Sequence, residues 1–149
     1  MAETPAGVRR MDLPPDVDEF RRAGTAFSAE LRALKRRLSI PGDHWYPYDT
    51  ITALPLISDL LAPVYDEVFN DMGRGPIADV GCADGDFAMW FARMGCEVDA
   101  IDHAASNFNQ LRGVRRLARE LSLPVNTHDI DLDRPFELPR RDYALALFL

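Results

Sequence analysis

Ile77-Ala78-Asp79-Val80-Gly81-Cys82-Ala83-Asp84-Gly85-Asp86 is the stretch that decides the fold, and Phe87 to Gly95 completes it. The apolar run from Ile77 to Val80 has the length and composition of a buried strand. It gives way to small residues, where Gly81 and Gly85 open backbone conformations that larger side chains resist. Asp86 is placed to cap a helix with its apolar face at Phe87, Trp90, Phe91 and Met94 and its stop at Gly95. A strand, a tight turn and a helix start in succession present free N–H groups to whatever lies over the loop.

Downstream, Cys96 to Ile101 reads as a second strand ending in Asp102, which lies 17 residues after Gly85. An acid at that place in α/β nucleotide folds holds ribose hydroxyls. His103, beside it, either flanks a bound ring or lines the crevice. Ser106 then caps a helix with Phe108, Leu111, Leu117, Ala118 and Leu121 inward. Gly113 inside that helix costs about 1 kcal/mol against Ala, a cost accounted for by close packing. Pro124 to Thr127 is a short third strand ending in His128-Asp129-Ile130. The Asp129 carboxylate can accept a hydrogen bond from a ring amino group, with the Ile130 backbone beside it. Residues 142–149 form a fourth strand, and the chain stops inside it.

Upstream, residues 1–13 lack periodicity and read as a disordered tail. After Pro14-Pro15, Asp16 and Glu19 make an Asp variant of the capping box. Val17, Phe20, Phe27, Leu31, Leu34 and Leu38 recur at threes and fours as one apolar stripe, and Pro41-Gly42 ends it. The basic cluster Arg32, Lys35, Arg36 and Arg37 reads as a solvated face complementing the helix dipole, in preference to a contact with RNA phosphates. His44-Trp45-Tyr46-Pro47-Tyr48-Asp49-Thr50 is either a lid over a ligand or an aromatic plug joining helix to domain. Residues 51–69 read as one or two short helices broken near Pro55 and Pro63, and residues 70–76 as a hinge.

A chain of 149 residues has room for one domain, and a net charge of −7 argues against a broad nucleic-acid surface. The longest apolar run, residues 144–149, is far short of the roughly 20 residues a bilayer span needs. With no apolar leader read at the start, the expected compartment is cytoplasmic. Cys82 and Cys96 have no metal-site spacing and fall at opposite ends of a parallel sheet, so both are expected as packed small hydrophobes; no metal site is expected.

The arrangement Asp79-x-Gly81-x-Ala83-x-Gly85 resembles motif I of the class I S-adenosylmethionine-dependent methyltransferases, with Ala83 where the middle glycine usually stands. Asp102, Asp129 and the strand after Asp142 follow in the order of that family's motifs, so the resemblance covers residues 44–149. Within it, Trp45-Tyr46-Pro47-Tyr48-Asp49-Thr50, the Gly81 to Asp86 loop and Asn107-Phe108-Asn109-Gln110 are similar to the wobble-uridine tRNA methyltransferase-like proteins.

The resemblance implies an α/β, Rossmann-like sheet ordered 3-2-1-4-5-7-6, of which this chain supplies the part 3-2-1-4. Residues 14–72 would be an N-terminal helical extension with the aromatic loop, and residues 73–149 an incomplete S-adenosylmethionine-binding domain. The implied cofactor residues are Asp79, Gly81, Cys82, Ala83, Gly85, Asp102, His103, Asp129 and Ile130. Asp79 would orient the methionine ammonium directly or through water, Gly81 to Gly85 cradle the methionine part, Asp102 take the ribose and Asp129 the adenine. An acid beside the loop suits a ligand carrying an ammonium and a sulfonium better than a pyrophosphate. No catalytic base is identified, and the methyl acceptor is open between tRNA and a small molecule. Two rival readings are a truncated protein that binds the cofactor without turnover and a nicotinamide-dependent oxidoreductase. The expected edge strand, residues 143–149, offers unpaired backbone groups on an uncharged run and so invites self-association.

Overall fold

The apolar run ahead of the glycine loop lies inside a four-stranded, all-parallel sheet. The computed structural model describes residues 13–38, 44–71 and 76–149. Strands β1 (Ile77–Val80), β2 (Val98–Asp102), β3 (Val125–Asp129) and β4 (Leu145–Phe148) are ordered β3-β2-β1-β4. Ile77 is level with Val98 on one side and Leu145 on the other, and Asp102 is level with Asp129. The architecture is therefore α/β with the expected strand order.

Alternation along the strands sends side chains to two differently covered faces. Ile77, Val98, Ala100 and Leu147 join the large core under the helices. Ala78, Val80 and Ile101 point the other way and are covered by Ile130, Leu132, Leu138 and Tyr143. A buried parallel sheet requires cover on both sides. Here helices supply one cover and the segment after β3 the other.

The helices are α1 (Val17–Arg37), α2 (Leu54–Leu61), α3 (Asp86–Arg93) and α4 (Arg112–Glu120). Asp16 caps α1, its carboxylate accepting from the Glu19 N–H at 2.8 Å. The Glu19 side chain bonds Arg22 instead of turning back, so one half of the capping box forms. The stripe on α1 is buried as its spacing requires, with Phe20 at the centre of rings from Tyr65, Phe69, Trp90 and Phe91, all 5.8–6.2 Å away. Burying each such ring is worth roughly 1.5–3 kcal/mol. One core thus runs from α1 through α3 to the sheet, across the division expected near residue 72. Pro55 sits in the first turn of α2 and starts that helix instead of breaking it, and Pro63 lies in the short 3-10 turn Ala62–Val64.

Two local expectations are corrected. Asp86 is the first residue inside α3, and Gly85, with φ +79°, holds the cap position without a side-chain bond. No helix begins at Ser106: residues 103–111 are turns, α4 starts at Arg112, and Phe108 is 57 % exposed instead of inward. The cause is Asn107, whose Oδ1 accepts from the N–H groups of Asn109 and Leu111 and substitutes for helical backbone bonds. The tail to residue 12 and the stops at Pro41-Gly42 and residues 72–75 lie outside the described residues. Among the described residues no helix is long and apolar enough to cross a membrane. Cys82 and Cys96 are both buried.

Candidate functional site

The loop between β1 and α3 is a tight coil held from β2. Gly81 and Cys82 both donate to the Ile101 carbonyl, at 2.8 and 3.1 Å, and Gly85 donates to the Cys82 carbonyl at 2.7 Å. Gly81, Ala83 and Gly85 all have positive φ, at 77°, 52° and 79°. For Ala83 that conformation is uncommon. It is held because the Ala83 N–H donates to Asp102 Oδ2 at 3.0 Å and its carbonyl accepts from Asn107 Nδ2.

Asp102 therefore has a structural task as well as a candidate ligand task. It accepts from Ala83 N–H and Asn107 Nδ2 through Oδ2, and from its neighbour His103 N–H through Oδ1 at 2.8 Å. It remains partly exposed, and Oδ1 keeps a lone pair for a hydroxyl donor. Asp129 stands beside it at the end of β3, exposed, with Oδ1 accepting from the Ala104 N–H at 2.8 Å. His103 is partly exposed, with Nδ1 3.7 Å from Asp131. The Ile130 N–H donates to the Asp102 carbonyl at 3.0 Å, and its side chain packs on the far face of the sheet. The Ile130 N–H is therefore already engaged within the sheet.

Asp79 is 1 % exposed, and its Oδ2 accepts from the Ala88 N–H inside α3 at 3.0 Å. Burial raises its pKa to about 7, the Ala88 hydrogen bond opposes the rise, and Asp86 and Asp102 add to it. Asp79 is thus turned away from solvent, with Oδ2 tied to the first turn of α3. Cys82 reports the same field. Burial pushes its thiol up, and Asp79, Asp102 and Asp84 push it further.

Sequence reasoning missed the residue that ties this region together. Lys35 is 7 % exposed, with Nζ 2.8 Å from Asp86, 3.2 Å from Asp84 and 3.3 Å from Asp49. Burial works against its charge, but Asp86 and Asp84 outweigh that and raise its pKa. Lys35 is thus no member of a solvated basic face. The available signal was positional: Lys35 follows Leu31 by four residues on the buried stripe, where a charge requires a partner.

Asp84, also 1 % exposed, accepts from Lys35, from the Tyr46 N–H at 2.9 Å and from Asn109 Nδ2 at 2.8 Å. This explains Gly113: a Cβ there would stand 2.7 Å from Asp84 Oδ1 and 2.6 Å from Asn109 Nδ2.

The aromatic segment divides between its two expected roles. Trp45 packs against the core and donates to the Leu38 carbonyl at 3.2 Å. Tyr46 faces the crevice, stacked on Phe108 at 4.5 Å and 16°, with Tyr48 at its edge.

With this geometry in view, no protein-family model matches the chain, and no curated protein does. The reading of the site rests on its own residues. Among them, no group of three or more His, Cys, Asp or Glu in the described residues is arranged to hold a metal ion.

Proposed function

We propose that this chain is the S-adenosylmethionine-binding part of a Rossmann-like, class I methyltransferase. The observation that carries the reading is a concentration of acids at the carboxyl ends of β1, β2 and β3. Asp79, Asp84, Asp86, Asp102 and Asp129 gather there, and Lys35 is the cation buried among them. Lys35 is held by Asp84 and Asp86, whereas Asp102 and Asp129 have no cation partner among the described residues. Such a field favours a ligand with an ammonium and a sulfonium. Each negative charge of a pyrophosphate held about 6 Å from one of these carboxylates would be opposed by about 3 kcal/mol at an effective dielectric constant near 20.

The acceptor set fits the cofactor. Asp102 would accept from the ribose hydroxyls and Asp129 from the adenine amino group, with His103 at the side of the ring. The turn from Gly81 through Cys82 and Ala83 to Gly85 would pass beneath the methionine part, its small residues permitting close approach. Asp79 would set the potential at the start of α3 without touching the ligand. When bound, S-adenosylmethionine supplies a methyl group already activated on a sulfonium. The protein's share is to hold donor and acceptor in line and to exclude water. No residue described here is assigned as the base for the acceptor.

Calorimetry on the full chain tests the reading. S-adenosylmethionine and its demethylated product should bind, with NAD and ATP far weaker. Asp102→Ala should lower the affinity for both methionine-derived ligands by about 1.5–3 kcal/mol, the worth of hydrogen bonds to a charged group. NAD binding tighter than either ligand would refute the proposal.

A further inference from the structure

An open cavity lies between α1 and the aromatic segment, and its chemistry differs from that of the acidic strand ends. It has a volume of about 250 Å³ and is lined by Arg32, Lys35, Arg36, Trp45, Tyr46 and Asp49. Two of its walls are shared with the loop: Lys35 pairs with Asp84 and Asp86, and the Tyr46 N–H donates to Asp84. Lys35 and Tyr46 thus stand between a molecule seated there and the loop, touching both.

The charges in this cavity are unevenly committed. Lys35 is taken by three carboxylates. Arg32 engages Asp49 through Nε at 2.7 Å. Arg36 is exposed on α1 and has no ion-pair partner among the described residues. The open donors are therefore guanidinium groups, whose flat forks match a carboxylate. The remaining walls are Trp45, Tyr46 and the Asp49 carboxylate, whose charge is met by Arg32 and Lys35. Trp45 carries the Lys35 ammonium 5.7 Å from its ring centroid, and Tyr46 is backed by Phe108. Tyr48 and Phe108, both in ring contact with Tyr46, are 58 % and 57 % exposed.

Planar walls with one free guanidinium select a flat anion. The volume falls below the roughly 300 Å³ at which sites for drug-sized ligands begin, which fits a single ring. We infer that this cavity is the acceptor pocket and that the acceptor is a small aromatic carboxylate. The assignment rests on the methyl-transfer reading, because the acceptor role follows from the shared wall with the cofactor loop. A polyanion is disfavoured by the net charge of −7.

Tryptophan fluorescence of the full chain reads this pocket, since Trp45 lines it and Trp90 is wholly buried in the core. Benzoate should change the emission saturably, and benzylamine, of the same shape and opposite charge, should not. Arg36→Glu should raise the benzoate dissociation constant at least about tenfold, the loss of one charge-assisted contact. Arg36 is exposed on α1, so the variant's thermal melt serves as the control for folding. Equal responses to benzoate and benzylamine would overturn the inference, as would an unchanged constant in folded Arg36→Glu. So would displacement of benzoate by inorganic phosphate or an oligoribonucleotide at lower concentration than benzoate itself requires. A chain that binds S-adenosylmethionine but not benzoate sinks the acceptor pocket alone. One that binds benzoate through Arg36 but no S-adenosylmethionine sinks the methyl-transfer reading, and the acceptor role with it.

Discussion

Replacing Lys35 by Met keeps most of the side-chain volume and removes the charge. Asp84 and Asp86 are then two buried carboxylates without a cation, since the partner each shares in the native protein is Lys35 Nζ, at 3.2 and 2.8 Å. Breaking a buried pair from one side costs about 3–5 kcal/mol, because the charge left behind is uncompensated. For a domain of this size that lowers Tm by roughly 6–20 °C. The pH dependence has a definite sign. Burial already holds the Asp86 carboxyl above its ordinary value although Lys35 pulls it down. Removing Lys35 drives it higher, and a carboxyl raised in the folded state stabilises that state below its unfolded pKa and loses this contribution as pH rises through its folded value. The stability gap between wild type and Lys35→Met should therefore narrow toward acid and widen toward neutral pH. Urea melts followed by circular dichroism at a series of pH values measure the gap. Adding Asp86→Asn to Lys35→Met should recover part of the loss. A loss below about 1 kcal/mol at neutral pH, or a gap that grows toward acid, would refute the claim that Lys35 holds the loop acids in place.

Two other outcomes follow from the same charges and from the sheet edge. Burial raises the Asp79 pKa to about 7 from an ordinary 3.8, so its contribution to stability is complete below pH 3.8 and is lost as pH rises through about 7. Asp79→Asn removes that titration, and the difference between its stability curve and the wild-type curve should change by about 4 kcal/mol from pH 4 to pH 8; parallel curves would refute it. The 149-residue chain should self-associate through β4, which pairs with β1 and has no second strand partner among the described residues, and which leaves Phe148 exposed. Light scattering should show this, with Ala146→Lys reducing it, and a stable monomer at high concentration would count against it.

The parts of the fold legible in the sequence were those set by periodicity. Ile77–Val80 announces itself as a strand because four apolar or neutralised residues lie between turn signals, and Asp102 and Asp129 mark the next two strands by ending them. The α1 stripe was readable for the same reason. What escaped was set by side chains acting at long range. Lys35 looks like its neighbours Arg36 and Arg37 until Asp84, 49 residues later in the chain, arrives beside it. The stretch from Ser106 to Leu111 has an acceptable helical pattern, and only the Asn107 hydrogen bonds to Asn109 and Leu111, with positive φ at Gln110 and Leu111, divert it. Gly113 was explicable as a packing glycine, but its neighbours Asp84 and Asn109 were not nameable from sequence.

The two kinds of acid in the site explain why the N-terminal helix belongs to it. A loop carrying Asp79, Asp84 and Asp86 so close together would repel itself, and each charge would lose its water on folding. The structure relieves this in three ways. Asp79 is buried with its pKa raised to about 7, so near neutral pH it carries only part of a charge. Asp84 and Asp86 are met by Lys35, delivered by α1 through the packing of Phe20, Phe27 and Leu31 on the core. Asp102 is fixed by donors that carry no charge: the Ala83 and His103 N–H groups and Asn107. Neutral donors orient a carboxylate without cancelling its field, so Asp102, with Asp129 beside it, keeps its attraction for a cationic ligand while standing in a prepared position. The lysine serves the fold, and the amides serve the site. Losing Lys35 should therefore be felt chiefly as stability, whereas losing Asp102 should be felt in affinity and, through Ala83, in the shape of the loop.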